Sequence, residues 1–115
     1  WLPPEVVAKD FAPDTTPAEK KLIGVKQGPI ATKCFDDKVK TAAWKTKPAW
    51  YLRASDDQMI DPAAQALMAT RMKATVTSVK SSHVPLVSKP RDVAAVILTA
   101  ASAPAAAPTT AAPTK

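Results

Sequence analysis

Apolar positions fall into runs of different spacing, and the spacing assigns each run to an element. The pattern is sharpest after Pro48. Ala49-Trp50-Tyr51-Leu52-Arg53-Ala54 is short, aromatic and mostly apolar, which predicts a strand buried on both faces. Asp61 then caps a helix with Pro62 in its first turn, and Ala64, Leu67, Met68 and Arg71/Met72 recur at three and four residues as one apolar stripe. Ala74 to Val79 is rich in β-branched residues and predicts a second strand. Strand, helix, strand is a βαβ unit, so the pair should be parallel with a right-handed crossover. Val93, Val96, Ile97 and Ala100 follow Ser88-Lys89-Pro90 at helical spacing and predict a last helix running to about Ala101.

The half before Pro48 is less regular. Thr16-Pro17-Ala18-Glu19 is a capping-box pattern with Pro at the first helical position, and predicts a helix over Pro17 to Lys26 with Leu22 and Ile23 on its apolar side. Gly28-Pro29 stops it, and Ile30 to Lys47 shows no sustained period, so that stretch reads as loop with short pieces. Trp1 to Ala12 is a proline-led segment with a short apolar run at Val6, Val7 and Phe11. No internal repeat is visible.

The 115 residues suffice for one small domain and not for two with separate cores. The last stretch, SAPAAAPTTAAPTK from Ser102 to Lys115, has no bulky apolar side chain to offset its ordering entropy and predicts a disordered tail. No apolar run reaches the roughly 18 to 20 residues that span a bilayer. Trp1-Leu2-Pro3-Pro4 lacks the basic start and apolar stretch of a secretory leader, so neither a membrane association nor a pre-secretory chain is expected. Because the first residue is Trp, the chain is expected to be processed or cut from something longer.

Charge is concentrated. The net charge is +6, and the eight lysines between Lys20 and Lys47, set against Asp36 and Asp37, carry all of it. Nucleic-acid recognition tends to use arginine forks and stacking aromatics, and none of the three arginines lies in this segment. The segment therefore reads as a solvated lysine-rich surface with no nucleic-acid partner, an acidic partner being the lesser alternative. Cys34 is alone and cannot form an internal disulfide, and with a single histidine it falls short of any zinc spacing. Independence from disulfides favours the cytoplasm. No HExxH or EF-hand pattern occurs, so no metal or cofactor is expected.

In a parallel sheet, functional groups collect on the loops at the carboxyl ends of the strands. Two such loops are predicted, Ser55 to Ile60 and Lys80 to Val84. Adjacent parallel strands lie roughly 5 Å apart, close enough for a carboxylate on one loop to meet the His83 imidazole on the other. Such a pair fixes the imidazole tautomer and lets the second ring nitrogen act as a general base. Taken singly, Asp57 is equally a surface acid leading a helix, and His83 a hydrogen-bonded loop histidine.

The stretches KPAWYLRASDDQMIDPAAQALMATRMKAT and VKSSHVPLVSKPRDVAAVIL resemble the C-terminal third of the α/β-hydrolase fold, in its bacterial esterase and plant methylesterase/hydroxynitrile-lyase branch. The resemblance covers Lys47 to about Ala101. It rests on the Pro-capped helix with Gln65 and on Ser82-His83 followed by Ser88-Lys89-Pro90. FAPDTTPAEKKLI and AWKTKPAW resemble that branch's lid and its return to the core. The resemblance implies a partial α/β-hydrolase fold, a C-terminal βαβ-α unit with a preceding helical lid. Residues 1–46 would be lid, 47–101 core, and 102–115 tail. It makes Asp57 the acid and His83 the base of a Ser-His-Asp triad acting on a small-molecule ester, with Asp56 as the acid's neighbour. Trp44 lies where the lid rejoins and is a candidate to face substrate, or else a packing residue.

The chain departs from the family in having no G-x-S-x-G. Its six serines have no glycine neighbours, and its only glycines are Gly24 and Gly28. A nucleophile elbow needs small residues because the serine sits in a strained turn. The oxyanion hole, built in the family from an N-terminal loop and the residue after the serine, is missing too. The expectation is therefore the C-terminal portion of a carboxylic ester hydrolase, inactive alone. The alternatives are a non-catalytic basic binding protein derived from it, or one piece of a split enzyme. Two strands make a marginal sheet, so dependence on a missing N-terminal half, or self-association, is expected.

Overall fold

The computed structural model describes residues 1–104. A short turn, α1 (Pro4–Val6), widens into a π-helical segment, Val7–Phe11, closed by the Ala12 N–H donating to the Val7 carbonyl at 2.9 Å. Val7 and Ala12 are buried there. Nothing in the local apolar run signals the wider turn. The next helix, α2 (Pro17–Lys26), starts where the capping box predicts, with the Thr16 hydroxyl accepting from the Glu19 N–H and the Glu19 carboxylate accepting from the Thr16 N–H. The stretch from Gly28 to Thr41 is exposed throughout and holds one short helix, α3 (Lys33–Asp36). A single 3-10 turn, Ala43–Lys45, precedes the sheet.

The sheet has two parallel strands, β1 (Trp50–Ala54) and β2 (Thr75–Val79), in register from Trp50 opposite Thr75 to Ala54 opposite Val79. Between them runs α4 (Pro62–Arg71), its first turn capped by the Asp61 carboxylate accepting from the Ala63 N–H. It ends in a Schellman arrangement, with the Ala74 N–H donating to the Ala69 carbonyl and the Lys73 N–H to the Thr70 carbonyl. Lys73 takes the left-handed conformation this turn requires, φ 52°. A short helix, α5 (Pro85–Ser88), and a longer one, α6 (Pro90–Ser102), complete the described chain.

Two expectations about burial are overturned. β1 was to be enclosed on both faces, yet Trp50 to Arg53 are half-buried and only Ala54 is buried. A strand is enclosed only inside a wider sheet, and here α4 and α6 pack mainly on β1, leaving Thr75 to Ser78 of β2 exposed. The α4 stripe also faces elsewhere. Leu67 and Met68 are 73% and 45% exposed, while Gln65 and Ala69 are buried. The hydrogen bonds of Gln65 turn that side of the helix inward. The tail was to begin at Ser102, but α6 runs through that residue; the reading of 105–115 lies outside the described residues. A mixed helix and strand unit with a small parallel sheet is thus a partial α/β fold.

Candidate active site

The parallel ladder continues past both strand ends. The Ser55 N–H donates to the Val79 carbonyl at 2.9 Å, and the Asp56 N–H to the Ser81 carbonyl at 3.1 Å. These bonds hold the two exit loops side by side. On the first loop Asp57 is 5% exposed, and its Oδ1 accepts from the Met59 and Ile60 N–H groups at 2.8 and 3.0 Å. That local turn sets the carboxylate's direction.

Gln65 binds the loop to the strand from one turn inside α4. Its Oε1 accepts from the Ala54 N–H at 3.1 Å, and its Nε2 donates at 2.9 Å both to Asp57 Oδ2 and to the Ile60 carbonyl. Buried polar groups persist when each finds a partner, and this amide finds one on either side. From the second loop His83 presents Nδ1 to the same Asp57 Oδ2 at 3.0 Å. Four donors thus converge on one carboxylate.

The second loop is held from the N-terminal segment. Ser81 and Ser82 are each 1% exposed. The Ser81 hydroxyl donates to the Ser82 carbonyl at 2.8 Å. The Ser82 N–H donates to Asp14 Oδ2 at 3.0 Å and its hydroxyl to Asp14 Oδ1. Phe11 packs against the His83 ring, centroids 5.1 Å apart and planes inclined by 53°. The imidazole is part-exposed, and Nε2 makes no hydrogen bond among the described residues.

Burial alone would push the Asp57 carboxyl up. The hydrogen bonds from the Ile60 N–H, the His83 ring and the Met59 N–H, together with imidazolium charge, outweigh it and hold Asp57 below the ordinary value of 3.8. Burial likewise works against Asp14, and hydrogen bonds from the Ser82 hydroxyl and N–H, with smaller help from the Ser88 hydroxyl and its own backbone, bring it below its ordinary value.

The structure therefore brings Asp57 and His83 into contact, while Asp56 stays exposed and accepts from the Ser55 hydroxyl at 3.0 Å. Among the described residues no serine hydroxyl is bonded to His83. Ser55, Ser81, Ser82 and Ser88 donate elsewhere, and Ser78 accepts from Arg53. Trp44 lies at the opposite end of the strands, lining a cavity of about 270 Å³ with Tyr51, Met68, Arg71 and Met72. Cys34 is exposed. No group of three or more His, Cys, Asp or Glu is placed to hold a metal among the described residues.

Sequence reasoning named Gln65 only as part of a resemblance, and it gave Phe11, Asp14 and Ser82 no place in the site. For Gln65 a signal existed: a lone amide one turn after a helix cap, flanked by alanines that leave it room to turn inward. For Asp14 and Ser82, 68 positions apart, there was no local signal. Set against known proteins, residues 1–96 match the sequence model of the alpha/beta hydrolase family. No curated protein matches the chain.

Proposed function

This chain belongs to the alpha/beta hydrolase family, and from that premise we propose that Asp57 and His83 are the acid and base of a serine hydrolase triad acting on carboxylic esters. Residues 1–46 form the lid, residues 47–101 the C-terminal part of the core, and the nucleophilic serine comes from outside these 115 residues. The branch we propose is that of the bacterial esterases and the plant methylesterases and hydroxynitrile lyases. The observation that carries the reading is the 3.0 Å contact between Asp57 Oδ2 and His83 Nδ1, made by a carboxylate already oriented by three other donors.

The mechanism follows from that contact. Asp57 accepts a hydrogen bond from Nδ1–H, which keeps the proton on Nδ1 and leaves Nε2 unprotonated and able to take the proton of a serine hydroxyl. As the serine oxygen attacks the ester carbonyl, the imidazole becomes imidazolium, and the nearby carboxylate stabilises the new charge. The same Nε2 proton then passes to the departing alkoxide, releasing the alcohol and leaving an acyl-enzyme. Water attacks the acyl-enzyme with His83 again as base, returning the acid product and the free serine.

The test is reconstitution. The 115 residues alone should turn over no activated ester above background. Joined to an N-terminal portion that carries a G-x-S-x-G, they should hydrolyse it, with Asp57→Asn or His83→Ala lowering kcat by about 10⁴-fold. Turnover by the reconstituted protein that survives both substitutions would discard the reading.

A further inference from the structure

We propose that Asp14 is a positioning residue for His83: it holds the histidine loop through Ser82 while Phe11, three residues earlier on the same segment, braces the imidazole face. The inference rests on the reading of His83 as the general base, and extends it to a segment 68 positions away.

The assignment follows from where the polar groups of residues 81 and 82 go. The Ser81 carbonyl accepts from the Asp56 N–H, and the Ser82 carbonyl accepts from the Ser81 hydroxyl. The Ser82 N–H and hydroxyl both donate to Asp14, one to each carboxylate oxygen. Asp14 takes no ion-pair partner among the described residues, and its carboxylate is directed at the second loop, with both Ser82 donors on it and the Ser88 hydroxyl nearby. The adjoining residue is His83, whose ring touches Asp57 on one side and Phe11 on another.

Phe11 and Asp14 lie on one hydrogen-bonded turn. The Ala12 N–H closes the π-helical segment on Val7, and the Thr15 N–H and hydroxyl both donate to the Ala12 carbonyl. The tie therefore connects a locked turn to a locked loop. Without Asp14, the Ser82 N–H, buried at the strand exit, loses its acceptor, and the loop gains freedom to swing the imidazole off Asp57. Charge-assisted bonds are the stronger kind, which suits a tie that must hold a ring to within a fraction of an ångström.

His83 is the only histidine, so nitrogen-15 and proton spectra of the whole chain report on it without ambiguity. The readouts are the solvent-exchange rate of the Nδ1 proton and the Phe11–His83 ring cross-peak, with β1 and β2 amide signals as the control for folding. Asp14→Ala should speed Nδ1 exchange about tenfold or more and weaken the cross-peak while the strand signals persist. Exchange within about twofold of the parent chain in a folded Asp14→Ala protein overturns the proposal. If Asp14→Ala fails to fold, Ser82→Ala decides by the same twofold criterion, since it removes one of the two bonds and leaves the N–H in place. A parent chain whose Nδ1 carries no proton bonded to Asp57 overturns the reading of His83 itself, whatever the Asp14 variants do.

Discussion

At the strand exits the enclosed side chains include Asp57, Gln65, Ser81 and Ser82, each with a partner; between Gly28 and Thr41 every residue is exposed, Ile30, Phe35 and Val39 among them. Polarity and burial are thus inverted between the two regions. Apolar side chains reach an interior only when regular elements bring them together, and the lysine-rich stretch offers one helix of four residues. At the exits, two strands and a helix converge, and the space between them is small enough that hydrogen bonds decide its geometry. Buried polar networks are costly when incomplete and specific when complete. The difference implies that substitutions should act strongly in one region and weakly in the other.

The largest effect should come from Gln65→Leu. It leaves the Ala54 N–H and the Ile60 carbonyl without their side-chain partner and Asp57 Oδ2 with His83 alone, and should cost about 3 kcal/mol in urea unfolding. A loss no greater than an exposed substitution gives would erase the contrast.

Acid should act on the same region. Asp57 and Asp14 both lie below 3.8 when folded. A depressed carboxyl stabilises the folded chain above its unfolded value, and that contribution disappears as pH falls through the folded value. Unfolding midpoints should therefore hold near neutral pH and drop below about pH 4, and Asp57→Asn should flatten the drop.

A smaller change is expected from Asp61→Ala, which removes the cap of α4 and should cost about 1 kcal/mol by the same measurement. The smallest belongs to the other region. Lys33→Ala breaks an ion pair to Asp37 between side chains 76% and 60% exposed, and should leave the midpoint unchanged. A measurable loss there would mean that the exposed stretch is more tightly organised than its burial indicates.

The elements were legible where a local chemical device marks them. Thr16 and Asp61, each followed by proline, announce α2 and α4, and β-branched Thr75 to Val79 announces β2. Burial was less legible, because it depends on how many strands stand beside a given one, which the residues of β1 do not encode. That a carboxylate of the first exit loop meets His83 was reachable from strand order, since parallel neighbours bring their exits together; the choice of Asp57 over Asp56 came from the family resemblance. The Asp14–Ser82 tie was not, because the sequence carries no period or motif across so long a separation. Gln65 misled the reading of α4: apolar spacing put Leu67 inward, whereas the pairing of one amide outweighed it.

The ladder that runs on to Asp56 and Ser81 makes the reacting geometry a matter of counting. Asp57 stands three residues beyond Ala54 and His83 four beyond Val79, the last pair in the strand register. One residue added to either loop would advance a side chain by roughly 3.3 Å and send it to the other side of the chain. Variation in this protein should therefore tolerate exchanges of side chain at Ser55, Asp56 or Lys80 far better than insertions or deletions beside them.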